Sequence, residues 1–348
     1  MSPGLFFANA GTNGYTRSKL VRRRCLSSPF LSSVHPFTDN PAEAVSSLGE
    51  LKLIAAIRRW LGDATPDAPF GIGDDCAVLP ASSRRQLVTV DPVIYGRHFD
   101  DTVDPRAVGQ KLLKRNLSDI AAMGGRPRAA VVALALSPKL KTRWLSGFYR
   151  GLAAASRLYD VPIVGGDIAQ QADGFAATLT LLGESATDRV LTRQGAKTGD
   201  WIYVTGRLGG SILGHHHRFV PRLEEGRWFA TRREVRTMMD VSDGVAKDVL
   251  ALTPTGSVPS LAAALIPVSA AAFRCAQESG RSPLNHALTD GEDYELLLTV
   301  AARADRSAFE AAWKKKFKTR LSCIGRFTRS TSPGHIDLQS YHGYEHLR

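Results

Sequence analysis

Apolar and polar residues alternate with a helical or a strand period along most of the chain beyond residue 48. Helical spacing of apolar residues predicts a helix over 51–61, which Gly62 ends. β-Branched residues predict a strand over 87–90 that ends on Asp91 and Pro92. The same patterns predict further helices over 107–123, 145–158 and 308–317, and further strands over 130–136, 161–164, 175–183, 201–205 and 296–300. Because strands alternate with helices, an α/β or α+β fold is favoured.

The periodic pattern divides the chain into three parts. Residues 1–47 are rich in Ser and Arg and contain no acid before Asp39. This composition is typical of a disordered extension outside the fold, which we predict for this segment. A targeting segment, a disordered leader and an over-long start site remain open for this part. The strand and helix pattern then occurs twice, so we expect a first domain over 48–185 and a second over 186–348.

The composition is that of a globular protein, with 43% hydrophobic and 22% charged residues in 348. No apolar run reaches the roughly eighteen residues of a membrane-spanning helix, so no membrane partner is expected. The four cysteines are scattered without a CxxC pair. Their spacing argues against a disulfide framework or a zinc ribbon and fits a reducing cytoplasm.

The formal net charge of +12 raises nucleic acid as a partner. Five basic residues within 1–38, a segment without acid, account for +5 and leave +7 for the rest of the chain. The remaining basic residues are not interleaved with exposed aromatic residues, and no nucleic-acid motif occurs. We therefore expect no nucleic-acid partner, and a polyanionic small ligand fits this charge equally well.

Aspartate recurs at the predicted ends of apolar strands, usually beside glycine. The segments are Gly73-Asp74-Asp75, Val90-Asp91-Pro92, Gly165-Gly166-Asp167 and Asp240-Val241-Ser242-Asp243-Gly244, and Asn116-Leu117-Ser118-Asp119 adds a carboxylate in or beside a helix. Mg²⁺ prefers carboxylate and phosphate oxygens, and glycine lets backbone N–H groups approach phosphate closely. Each segment alone is ordinary turn or capping chemistry. Their number in a basic protein favours a site for Mg²⁺ and a polyphosphate.

Three other patterns suggest chemistry that the residues do not support. The segment 195–199 contains the residue types of a phosphate loop but not the order GxxxxGK[ST]. His215, His216 and His217 are consecutive, and consecutive helical residues point in different directions, so a solvated surface run is expected. No GxSxG segment occurs, which leaves a serine hydrolase without support.

Taken in order, six segments resemble the thiamine-monophosphate kinases. They are Gly71–Leu79, Asp91–Phe99 with Gly96 and His98, Asn116–Gly124, Val164–Asp167, Asp240–Gly244 and Gly291–Leu296. The resemblance covers residues 48–346 and implies Mg²⁺-assisted, in-line phosphoryl transfer from ATP to thiamine monophosphate. It also implies the two-domain fold of the aminoimidazole-ribonucleotide-synthetase superfamily. In that fold the N-terminal sheets of two chains form the barrel of a homodimer, and a C-terminal α/β domain follows.

The resemblance implies a role for each matching residue. Several Mg²⁺ ions would be bound by Asp74, Thr89, Asp91, Asp119, Asp167, Asp240 and Asp243, with Asp91 and Asp119 as the catalytic pair. The nucleotide would be contacted by Tyr149, Gly166, Asp167, Arg193 and Ser242. Thiamine monophosphate would be contacted by His98, Glu292 and Tyr344. Because donor and acceptor are both anionic, neutralising charge and aligning the phosphates matter more here than a general base.

Some positions depart from the family pattern. Val90 and Pro92 stand where threonine is usual, so both side-chain hydroxyls are lost as ligands at these two positions. Ile168 follows the Gly-Gly-Asp segment in place of threonine, and Asp290 stands where glycine is usual, which adds negative charge near the expected substrate pocket. None of these changes removes one of the expected aspartate ligands, so activity is still expected.

Two alternatives remain open. One is another phosphate-activating enzyme of the same superfamily, such as aminoimidazole ribonucleotide synthetase or selenophosphate synthetase. The latter needs a reactive cysteine in a glycine-rich N-terminal loop, whereas Cys25 lies among arginines and serines. The other is a non-catalytic relative that binds a nucleotide or nucleic acid; its affinity would fall steeply with salt, and it would release no ADP.

Overall fold

The computed structural model describes residues 35–68, 70–72, 76–330 and 335–344, which build two β-sheets with helices packed on them. The strands of these ranges are β1 (Gln86–Ile94), β2 (Gly125–Leu136), β3 (Ile163–Gln170), β4 (Phe175–Ser185), β5 (Trp201–Thr205), β6 (Val235–Asp240), β7 (Val258–Leu261), β8 (Leu296–Val300) and β9 (Leu321–Thr328). The helices are α1 (Glu50–Leu61), α2 (Pro105–Ala122), α3 (Thr142–Tyr159), α4 (His215–Arg218), α5 (Leu223–Ala230), α6 (Val245–Ala251), α7 (Ala270–Ser279), α8 (Pro283–Thr289) and α9 (Arg306–Lys316). Within the described ranges, no helix has both the length and the apolar character needed to cross a membrane.

The first sheet has the strand order β1-β4-β2-β3. β4 pairs antiparallel with β1 and with β2, whereas β2 pairs parallel with β3. Every second residue of β4 is buried from Phe175 onward, because one face of the sheet packs on α2 and the other face is more open. β1 and β3 are the two edges of this sheet.

The second sheet has the strand order β6-β8-β5-β9-β7 and is antiparallel throughout. All five residues of β8 are buried, because both faces of this strand are covered. Leu296 and Leu298 belong to a large core that also contains the inner face of the first sheet. Leu297, on the opposite face, belongs to a smaller core with residues of α6 and α8. The two sheets therefore share one continuous hydrophobic core.

α2 is the helix that joins the two sheets. Leu113 and Leu117 are fully buried in the large core, and the helix packs against β1 of the first sheet and β6 of the second. Asn116 and Ser118 are buried as well, so polar side chains of α2 lie where the two sheets meet. A buried polar group needs a partner, and the partner of Ser118 is part of the site described below.

β1 is longer than the sequence predicts. The prediction that the strand over 87–90 ends on Asp91 and Pro92 is wrong, because β1 continues to Ile94. Proline lacks the N–H that a central strand needs, but an edge strand tolerates it. Asp91 therefore lies within a strand, with its position set by pairing with β4.

The Gly-Gly-Asp segment also lies within a strand. Gly165, Gly166 and Asp167 are part of β3 and not a turn beyond its end. A Cβ atom at position 166 would lie 2.2 Å from the carbonyl oxygen of Val132 on β2. Close packing of the neighbouring strand therefore explains the glycine without a ligand.

Residues before position 48 already pack on the fold. Val45 is buried in the large core, and its N–H donates to the carbonyl of Leu140 at 2.8 Å. The N–H of Thr38 donates to the carbonyl of Lys139 at 2.9 Å. The extension predicted over 1–47 is therefore wrong for residues 35–47, which pack on the connection between β2 and α3. Residues 1–34 lie outside the described residues.

Candidate active site

A cavity of about 370 Å³ opens where α2 meets the end of β6. Its wall contains six carboxyl side chains and three guanidinium side chains, so acids outnumber bases here although the chain has a net charge of +12. Such a cavity suits a divalent cation together with an anionic ligand. The lining residues are Asp91, Arg97, His98, Arg115, Asp119, Arg193, Asp240, Ser242, Asp243, Asp290, Glu292, Tyr294 and Tyr344.

Asp119 of α2 lies beside β1, where the Thr89 hydroxyl donates to its Oδ2 at 2.5 Å. Burial raises the pKa of Asp119, and the carboxylates of Asp240 and Asp91 raise it further. One helical turn earlier, Arg115 Nη2 lies 3.3 Å from Asp91 Oδ1. Three carboxylates and one guanidinium thus share a partly buried space. A divalent cation would relieve the repulsion among these carboxylates.

Asp240 connects the second sheet to α2. The residue ends β6 and is 4% exposed, and Ser118 Oγ donates to its Oδ2 at 2.7 Å. Burial raises the pKa of Asp240, while the hydrogen bond from Ser118 lowers it. This bond joins residues that are 122 positions apart. The hydrogen bond therefore fixes the Asp240 carboxylate, at the end of β6, against α2.

The loop after β6 is held by Asp248 of α6. Asp248 Oδ2 accepts the N–H groups of Ser242 and Asp243, both at 3.1 Å. α6 starts after Gly244, whose φ of 103° suits glycine. Ser242 is therefore not the N-cap of this helix. Both Ser242 and Asp243 line the cavity, and Asp243 also pairs with Lys247 at 2.6 Å.

The segment 291–294 has a strained backbone. Glu292 and Tyr294 have φ values of 52° and 51°, in the left-handed region that disfavours residues other than glycine. Such residues cost about 1–3 kcal/mol each and persist only where surrounding contacts enforce them. Here the Glu292 N–H donates to Ser242 at 2.8 Å, and the Tyr294 N–H donates to Val241 at 2.9 Å. These hydrogen bonds enforce the unfavourable backbone conformation, and the Glu292 side chain lines the cavity.

His98 and Tyr344 also line the cavity. The Ile94 N–H donates to His98 Nδ1 at 3.1 Å, so this nitrogen is the acceptor of the ring. The Tyr344 N–H donates to the Asp243 carbonyl at 2.9 Å. Tyr344 as a residue is 38% exposed, and the Arg97 guanidinium carbon lies 5.6 Å from the centroid of its ring. An exposed ring next to a cation offers a surface for stacking a planar ligand.

A buried lysine joins two of the predicted substrate contacts. Lys111 Nζ is fully buried, lies 2.8 Å from Glu292 Oε1, and donates to the His98 carbonyl and to His216 Nδ1, both at 2.9 Å. Burial lowers the pKa of His216 to about 3, so its ring is neutral and accepts this hydrogen bond. The predicted solvated histidine run is therefore wrong, because His216 is packed between the two halves of the chain.

Three predicted residues within the described ranges lie away from this cavity. Asp74 lies outside the described residues. Tyr149, Gly166 and Asp167 line a separate groove of about 570 Å³ beside α1. β3 and β1 are the opposite edges of the first sheet. Three spacings between neighbouring strands separate them, which corresponds to about 14 Å. Within one chain, Asp167 therefore lies too far from Asp91 to share an ion with it.

The structure adds Arg115 and Lys111 to the site, which the sequence motifs did not indicate. Arg115 precedes Asp119 by four residues and Lys111 precedes it by eight. Residues four apart on a helix share a face. Both residues could therefore have been predicted from the sequence by following the helix from Asp119 towards its N-terminus in steps of four.

Residues 73–185 match the family model described as AIR synthase related protein, N-terminal domain. Together with the two sheets and the carboxylate-lined cavity between them, this match defines the class: a two-domain protein with the fold of the aminoimidazole-ribonucleotide-synthetase superfamily. The mixed α/β fold predicted from the sequence is confirmed.

Known relatives define the family within this class. The thiamine-monophosphate kinase of Rhodopirellula baltica is 39% identical over 248 residues, covering 68% of this chain and 77% of the relative. The Escherichia coli K12 enzyme of the same name is 33% identical over 333 residues, covering 86% and 98%. A solved structure of AaThiL complexed with AMPPCP and TMP superposes with a TM-score of 0.66 at 27% identity, covering 87% and 98%. The chain belongs to the thiamine-monophosphate kinase family.

Proposed function

We propose that this chain transfers the terminal phosphoryl group of ATP to thiamine monophosphate and releases thiamine diphosphate and ADP. The observation that carries the proposal is the cavity in which Asp91, Asp119 and Asp240 converge with Arg115. These residues come from β1, α2 and β6, so only the folded chain assembles them. The complex of AaThiL with AMPPCP and TMP supports the same pair of ligands.

The oxygen donors of the cavity fit Mg²⁺, and several ions are proposed. Asp91, Asp119, Asp240 and Asp243 supply carboxylates, and burial raises the pKa of both Asp119 and Asp240. A cation that binds such carboxylates recovers the electrostatic cost of burying them. When bound, Mg²⁺ neutralises phosphate charge and orients the polyphosphate.

The arginines provide the positive charge that the chain itself contributes. Arg97, Arg115 and Arg193 line the cavity, and a guanidinium binds phosphate oxygens in a bidentate manner. In the transfer, the bond between the γ-phosphorus and the oxygen bridging it to the β-phosphate breaks. A new bond forms from an oxygen of the acceptor phosphate to the γ-phosphorus. The acceptor is already ionised at neutral pH, so alignment and charge neutralisation replace a general base.

The wall formed by His98, Glu292 and Tyr344 is the proposed thiamine side of the cavity. The thiazolium ring of thiamine is cationic, so a carboxylate such as Glu292 suits it. The exposed ring of Tyr344 suits stacking on a planar heterocycle. Lys111 Nζ pairs with Oε1 of Glu292 and thereby fixes the direction in which Oε2 points.

Lys111→Met is expected to destabilise the protein by about 2–3 kcal/mol, because it leaves Glu292 without its buried cation. It should also raise the KM for thiamine monophosphate more than the KM for ATP. Urea unfolding and steady-state kinetics measure the two effects. Lys114→Met is the matched control, since Lys114 is buried on the same helix but contacts the His217 carbonyl at 3.5 Å and the Phe219 ring instead of Glu292. Equal effects of both variants would contradict the proposed positioning role.

A homodimer is proposed to complete the site. β1 and β3 are edge strands of the first sheet, and edge strands offer unpaired backbone groups to another chain. Val88 and Val90 of β1 are 70% and 57% exposed, although valine favours burial. In a two-fold symmetric pair, β1 of each copy would meet β3 of the other. This pairing would bring Asp167, Gly166 and Tyr149 from one copy to Asp91 of its partner.

The reducing cytoplasm remains the proposed location. Cys76, Cys275 and Cys323 are free among the described residues. Their scattered spacing in the sequence gives the same indication.

The proposed reaction predicts that purified protein forms ADP with Mg²⁺ and thiamine monophosphate together, and that omission of either abolishes ADP formation. A coupled ADP assay with chromatographic detection of thiamine diphosphate measures both products. Thiamine without its phosphate serves as the acceptor control. ADP release that is equally fast without thiamine monophosphate would exclude the kinase function for this chain.

A further inference from the structure

Side chains of three types that commonly bind metals come together from α7 and from the end of α8. The ligand atoms of Cys275, His286 and Asp290 lie within 4.8 Å of one another. Cys275 is 7% exposed and His286 is 3% exposed, so the sulfur and the imidazole are shielded from water. A thiol, an imidazole and a carboxylate form a ligand set typical of Zn²⁺ and of similar transition metals. Mg²⁺ prefers oxygen ligands alone.

Hydrogen bonds hold two of these side chains in place. His286 Nδ1 lies 2.9 Å from both carboxylate oxygens of Asp290, and Ser279 Oγ lies 2.7 Å from His286 Nε2. Asp290 Oδ2 also accepts the Gly210 N–H at 2.8 Å. Side chains fixed in this way lose little freedom when an ion binds.

The guanidinium of Arg281 lies beside these side chains and supplies a positive charge to them. Its Nη2 lies 3.3 Å from Asp290 Oδ1 and 3.2 Å from His286 Nδ1. The Arg281 side chain is 50% exposed, so it can turn into solvent at low cost. An ion bound by Asp290 would compete with this guanidinium for the same carboxylate.

We propose that Cys275, His286 and Asp290 form a binding site for a thiophilic divalent cation such as Zn²⁺, with water as the remaining ligand. On binding, the thiol of Cys275 releases its proton to solvent and the thiolate coordinates the ion. The proposed ligands do not include Asp91, Asp119 or Asp240. Asp290 also lines the acidic cavity, so an ion bound here would change the charge of one cavity wall.

Titration of the full-length, metal-free protein with Co²⁺ tests the site without any need for turnover. A thiolate ligand gives an intense sulfur-to-cobalt charge-transfer band, and Zn²⁺ should displace Co²⁺ and remove the band. Cys275→Ser should abolish the band and weaken Zn²⁺ binding by more than the roughly 10–100-fold that follows loss of a hydrogen-bond partner of a ligand. Cys323→Ser, at a partly buried thiol of β9, is the matched control and should keep both.

Arg281→Ala provides a second, surface variant that leaves all three ligands in place. Removing the competing guanidinium should tighten Zn²⁺ binding by roughly fivefold or more. Unchanged or weaker binding in Arg281→Ala, no charge-transfer band in the wild type, or a band that survives Cys275→Ser would each overturn the proposal. Because the readout is metal binding, its failure would leave the proposed kinase reaction unaffected.

Discussion

Asp119→Asn is expected to lower turnover by ~10³-fold or more while leaving the fold intact. Asp119 is close to Asp240 and Asp91, and the Thr89 hydroxyl fixes its direction. Asparagine keeps the size and can still accept this hydrogen bond, but it removes the charge that would bind Mg²⁺. The rate of ADP formation at saturating Mg²⁺ measures the loss. Near-wild-type turnover would remove Asp119 from the catalytic site.

The same substitution is expected to leave stability unchanged or higher when divalent cations are absent. Burial raises the pKa of Asp119 in the folded state above its unfolded value. At neutral pH the unfolded chain therefore releases this proton more readily, and the ionised carboxylate destabilises the folded state. The wild type should gain stability from Asp119 as pH falls from neutral towards the unfolded pKa, and the variant should lack this contribution. Thermal unfolding at two pH values measures it, with Asp188→Asn at an exposed site as control.

Paired variants are expected to show that Asp119 and Asp167 act from different chains. Asp119→Asn and Asp167→Asn should each be inactive as homodimers. A heterodimer with one chain of each variant, isolated with two affinity tags, would contain one intact site and one doubly defective site. Its activity should be about half that of the wild-type dimer.

The combination of Asp119→Asn with Asp240→Asn is the control for this experiment. Both residues line the cavity of the same chain, so each site of that heterodimer would carry one defect. We expect no recovery of activity from it. No recovery from the Asp119 and Asp167 combination either would contradict a site shared between chains.

Local elements of the fold were predictable from the sequence. The predicted helix over 51–61 corresponds to α1, and the predicted strands over 201–205 and 296–300 correspond to β5 and β8. These elements follow from residue periodicity, which depends only on neighbouring residues. The end of β1 was not predictable, because Pro92 is tolerated only where a strand is at the edge of its sheet, and strand order is a tertiary property.

The candidate site was predictable in part. Order and spacing of the aspartate segments indicated Asp91, Asp119, Asp240 and Asp243, which line one cavity. The Cys275 group was predictable only in part, because His286 and Asp290 are four residues apart but Cys275 is brought to them by the packing of α7 on α8. The histidine run was misjudged, since the burial of His216 depends on Lys111, 105 residues away.

By itself, the sequence determined the class of chemistry and the family, because both depend on which residues occur in which order. The tertiary structure decided which of those residues share a cavity. It placed Asp119 against Thr89 and Asp240 but left Asp167 on the opposite edge of the sheet. It also brought Arg115 and Lys111 to the acids that they neutralise. Such contacts join residues far apart in sequence, and their energies depend on burial, which exists only once the two sheets have packed around α2.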